Sequence, residues 1–133
     1  MSETPSARET LAEMGLMKNG APDMLELGYA FGAGMVVADG RIDPDELYFT
    51  AALATELFPG FDSEVFEQRC RDNPAPPTVG QLAPLLAEAL AEPQRQVIFD
   101  FMFSVCQTDG EIAPEDLALL RTTARDLRLP FGS

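Results

Sequence analysis

Apolar residues recur mostly three and four positions apart, and alternating β-branched runs are few, so the chain reads as helical. The first such pattern, from about Pro5 to Met17, carries only Leu11, Met14 and Met17 on a narrow stripe and ends at Asn19-Gly20. It predicts a weakly held segment or helix within residues 1–20, ahead of one domain over 21–133. A second helix is expected from Pro22 to about Ala38, with proline in the first turn, where it has no N–H to lose. Its Gly28, Gly32 and Gly34 each lower helicity by about 1 kcal/mol. Close packing must offset them, which predicts a central helix. Asp43-Pro44-Asp45-Glu46 has the form of a capping box, with Glu46 three residues on to reach back, and the third helix runs from it to Phe58. Asp62 or Ser63 opens a fourth, to about Arg71, with Val65, Phe66 and Cys70 on one side. Asn73 to Pro77 is a proline-rich connection that no helix crosses. Thr78 with Gln81 starts a fifth helix, ending near Ala91. A sixth runs from Pro93 to Thr108, its Phe99, Phe101, Met102 and Phe103 marking an all-round buried helix. A seventh runs from Pro114 to before Pro130. The expectation is an all-α, single-domain bundle of about seven helices with no β-sheet.

The chain also repeats itself. Ala38-Asp-Gly-Arg-Ile-Asp-Pro-Asp-Glu-Leu47 aligns without a gap on Thr108-Asp-Gly-Glu-Ile-Ala-Pro-Glu-Asp-Leu117, at an offset of 70 residues. Phe31, Met35 and Val36 fall on Phe101, Val105 and Cys106 in the preceding helices. The unit is helix, Asp-Gly loop, helix, in two copies around 22–58 and 93–128. Gly40 and Gly110 can take the left-handed conformation, Ile42 and Ile112 would pin each loop to the core, and Pro44 and Pro114 restart the helix. Asp-Gly-x-Ile-x-x-x-Glu matches the second half of an EF-hand calcium loop. The first half does not match, because its early ligand positions fall on Met35 and Val37, and on Val105 and Gln107.

Charge narrows the function. Nine Lys and Arg against 22 Asp and Glu give a net charge of −13. That charge opposes binding to nucleic acid and to anionic lipid. The longest stretch without a charge or a strongly polar group, Leu27 to Ala38, is twelve residues, short of the roughly 20 needed to span a bilayer. No segment reads as a signal peptide, so the cytoplasm is the expected compartment. There is no histidine, which removes the commonest general base and every imidazole zinc site. Two cysteines 36 positions apart suit a reducing compartment. Cys70 lies between Arg69 and Arg71, which would lower its pKa, although a free cysteine is more often a small buried core residue.

A duplicated helix–loop–helix with Ala-Asp-Gly-x-Ile-x-x-x-Glu, in an acidic all-α chain of this length, resembles the tellurite-resistance TerB family. The likeness runs from about Pro22 to Leu129, with the full motif in the first loop; the second has Thr108 for Ala and Asp116 for the closing Glu. The resemblance implies a seven-helix fold and a non-enzymatic module of stress-response systems that binds a divalent cation or docks a protein. It implies metal-ligand roles for Asp39, Glu46, Asp109 and Asp116. Asp43, in the same acidic cluster, is a further candidate ligand. Without imidazole, oxygen ligands select Ca²⁺ or Mg²⁺. Helix capping competes as an explanation, since acidic residues at a helix N-terminus gain about 0.3–1 kcal/mol from the dipole. Capping accounts for Asp43, Asp45, Glu46, Glu115 and Asp116. It does not account for Asp39 and Asp109, which close the preceding helices. If capping is the whole explanation, the chain is a docking domain without metal, and the expected partner is a protein with a basic surface.

Overall fold

The computed structural model describes residues 5–38, 40–107 and 112–130. Seven helices pack around one core: α1 (Ala7–Glu13), α2 (Met24–Val36), α3 (Pro44–Leu57), α4 (Ser63–Asp72), α5 (Val79–Ala89), α6 (Glu92–Cys106) and α7 (Pro114–Asp126). This is the all-α bundle expected. The expectation of no β-sheet is corrected in a small way, because two ladders of two residues each precede α2 and α3. In the first, β1 (Met17–Lys18) pairs antiparallel with β2 (Ala21–Pro22). In the second, β3 (Val37–Ala38) pairs with β4 (Arg41–Ile42). Asn19 and Gly20, with φ 53° and 79°, form the two-residue hairpin turn that Asn-Gly favours. Pro22 therefore belongs to a strand, and Asp23 caps α2 by accepting from the Leu25 and Glu26 N–H groups. Gly40 is left-handed at φ 76°, but in the β3–β4 turn rather than at a helix end.

The N-terminal segment read as weakly held buries Leu11 completely and Ala7 nearly so, with α1 packed on α5. Met14, placed on its apolar stripe, is exposed instead. In α4, Phe66 and Cys70 are buried as expected, while Val65 is 38% exposed. The expectation that α6 is buried all round is corrected: Phe99, Phe101 and Met102 are buried and Phe103 is half-buried, but Glu92, Pro93, Gln96 and Asp100 keep one side of the helix at the surface.

The glycines of α2 seat aromatic rings. A Cβ at Gly28 would lie 3.0 Å from the Phe58 ring, and one at Gly32 would lie 2.9 Å from Phe66 and 3.5 Å from Phe101. At Gly34 the neighbour is backbone, with the Pro77 carbonyl 2.8 Å away. The ring cluster continues through Phe61, whose centroid is 4.5 Å from Tyr29 and 5.3 Å from Phe66. Outside it, Arg69 pairs with Glu26 and lies 4.6 Å from the Tyr29 ring centroid. A second arginine fastens the end of α7: Arg95 Nη1 donates to the Leu127 and Arg128 carbonyls at 2.7 and 3.2 Å, and its Nε to the Leu90 carbonyl at 3.2 Å. Among the described residues no helix is long and apolar enough to cross a membrane.

Candidate functional site

The two repeats meet at one open cleft of about 690 Å³. One wall is the end of α2 with the start of α3, which bring Met35, Asp43, Asp45 and Glu46. The opposite wall is the end of α6 with the start of α7, which bring Val105, Cys106, Ala113, Asp116 and Leu119. Three pairs at the 70-residue offset thus share the cleft: Met35 with Val105, Asp43 with Ala113, and Glu46 with Asp116. Thr78, Val79 and Gly80, at the start of α5, add a third side, and Gly34 and Met102 complete the lining. The Thr78–Gln81 capping box fixes that start, with Thr78 Oγ1 accepting from the Gln81 N–H and Gln81 Oε1 from the Thr78 N–H.

Asp43 caps α3 as expected, its Oδ1 accepting from the Asp45 N–H at 2.9 Å and the Glu46 N–H at 3.2 Å. The other half of that capping box is not made. Only Asp43 supplies side-chain capping bonds at the start of α3, and Glu46 faces the cleft instead. In the second repeat Ala113 stands in the capping position and has no side-chain oxygen to offer.

The electrostatics tie the two copies together. Much of Glu46 is open to solvent, yet its pKa is raised, first by the hydration that the cleft walls remove and then by repulsion from Asp43 and Asp116. Cys106 is pushed up to about 11 by burial, with Asp116 and then Glu46 adding to it. Cys70 is also pushed up to about 11; burial outweighs the Arg71 charge that favours a thiolate. Cys70 is therefore the buried core thiol rather than a reactive one.

A stability difference follows. A carboxylate whose folded pKa lies above its unfolded value contributes stability that is complete below the unfolded pKa and is lost as pH rises through the folded one. In chelator, urea unfolding of wild type and Glu46→Gln between about pH 4 and pH 7 should show wild type losing stability relative to the variant as pH rises. A gap independent of pH would mean that Glu46 is not perturbed.

Of the candidate ligands, the structure brings Asp43, Glu46 and Asp116 to the cleft, while Asp39 and Asp109 lie outside the described residues, as does Gly110. Among the described residues no three carboxylates or thiols converge closely enough to hold one ion. The sequence reading missed Cys106, Met35 and the α5 wall. The offset that pairs Met35 with Val105 and Val36 with Cys106 was the available signal for the first two. The chain matches no family model, and neither the curated proteins nor the solved structures contain a significant match to it.

Proposed function

We propose that this chain is a non-enzymatic, TerB-like cytoplasmic module of a stress-response system that binds a divalent cation, Ca²⁺ or Mg²⁺, between its two acidic repeats. The observation that carries the reading is the arrival of Glu46 and Asp116, equivalent positions in the repeat, at one cleft where lost hydration, and after it repulsion from Asp43 and Asp116, disfavours the ionised form of Glu46. A cation placed there would relieve that repulsion, and hard divalent ions take carboxylate oxygens. Asp39 and Asp109 are the remaining ligands that the TerB-like reading supplies. Capping explains Asp43, which spends one oxygen on two backbone N–H groups. For Glu46 it supplies only a place in the first turn of α3, without the reach-back hydrogen bond. A binding role also suits the chemistry, because there is no histidine and the cleft thiol stays protonated at neutral pH.

A ligand that binds only the folded state adds RT ln(1 + [L]/Kd), about 2.7 kcal/mol at a hundredfold excess over Kd. Melting temperature should rise with millimolar Ca²⁺ or Mg²⁺ at ionic strength held constant with monovalent salt, which removes simple screening. Glu46→Gln and Asp116→Asn should each lose most of the rise. Equal responses in wild type and both variants would mean that these carboxylates are not a cation site.

A further inference from the structure

The cleft is more than a ring of charge. Beneath its carboxylates lie apolar side chains: Val79 and Val105 are buried, Met35 is half-buried, and Leu119 stands at the rim, 44% exposed. None of Asp43, Asp45, Glu46 and Asp116 is in an ion pair among the described residues, and the cleft lining contains no Lys or Arg. An acidic wall over an apolar floor, with no cation supplied by the chain itself, is complementary to a segment carrying basic heads on apolar stems. The volume, about 690 Å³, is in the range that receives a ligand the size of several side chains.

We propose that this cleft docks a short basic amphipathic segment of a partner protein, its Lys or Arg heads on Glu46 and Asp116 and its apolar side chains on Met35, Val105 and Leu119. The inference shares the cleft with the cation reading but does not require the cation. A second copy of the chain is a poor occupant, because two molecules each of charge −13 repel one another.

Fluorescence anisotropy with a labelled peptide of about 14 residues, Leu and Lys set at helical spacing, both ends blocked, tests it in chelator and physiological monovalent salt. Wild type should bind this peptide, and the Glu46→Gln/Asp116→Asn double variant should bind about tenfold more weakly. Leu119→Ser, at an exposed position, should weaken binding severalfold, whereas Glu88→Gln/Asp126→Asn should leave it unchanged. Equal binding by the cleft double variant would overturn the proposal. So would equal affinity for a peptide with every Leu replaced by Ser, since attraction would then be charge alone. A homodimer seen by sedimentation in wild type and dispersed by Leu119→Ser would make a second copy the occupant and overturn it too. Stabilisation by Ca²⁺ without peptide binding refutes this inference and leaves the cation reading standing.

Discussion

Replacing Phe66 by alanine is expected to cost about 3–5 kcal/mol, replacing Gly32 by leucine about 1–3 kcal/mol, and the double variant less than both costs together. Phe66 is fully buried, so truncation leaves a cavity in the ring cluster. The Gly32 substitution fails for the opposite reason, since its first added carbon already meets the Phe66 ring at 2.9 Å. Removing the ring makes room for the leucine, and the leucine fills part of the space the ring vacates. A double-mutant cycle by urea unfolding should give a favourable coupling of at least about 0.5–1 kcal/mol. Strict additivity would show that the ring does not rest on Gly32.

At Gly34 no such rescue exists, and Gly34→Leu is expected to cost about 3 kcal/mol or more. A Cβ there meets the Pro77 carbonyl at 2.8 Å and the Val79 nitrogen at 3.4 Å. These are main-chain atoms of a proline-rich connection, so the whole entry to α5 must move. Because Val79 and Gly80 line the cleft, Gly34 variants should also lose part of the divalent-ion response proposed above, and core variants that stay folded should keep it. Gly80→Ala is the control. Its nearest neighbour would be Thr78 Oγ1 at 3.8 Å, and a helical alanine gains up to about 1 kcal/mol over glycine. If Gly34→Leu melts like wild type, the close approach of α2 to α5 is wrong.

Helix number and order were legible because each start carries its own chemistry. Asp43, Asp62 and Thr78 all cap where the sequence places them, and Pro44 and Pro114 open their helices. The errors fall where local signals compete. Pro22 suits a first turn, but Asn19-Gly20 closes a hairpin that draws Pro22 opposite Met17, and Asp23 takes over the cap. Glu46 had two local roles open to it, and the cleft, a tertiary feature, decided between them. Half of the site could be read from the repeat, since the offset relates Glu46 to Asp116. The α5 wall could not, because Thr78 to Gly80 lie outside the repeat and come to the cleft through contact with Gly34, a residue that by itself signals only close packing.

The arginine at the foot of α7 sets the direction in which this helix can open. Arg95 joins the Leu127 and Arg128 carbonyls to that of Leu90, so the last turn is tethered to the corner between α5 and α6. The first turn has alanine where α3 has its aspartate cap, and it borders the cleft. Local opening is therefore expected to start at Glu115 and Asp116 and to stop before Leu120, which is fully buried. Subglobal opening of this kind needs only a fraction of the global unfolding free energy. The second wall of the cleft can therefore reshape by fraying a single turn while the aromatic core stays closed, and the two walls, alike in sequence, differ in compliance.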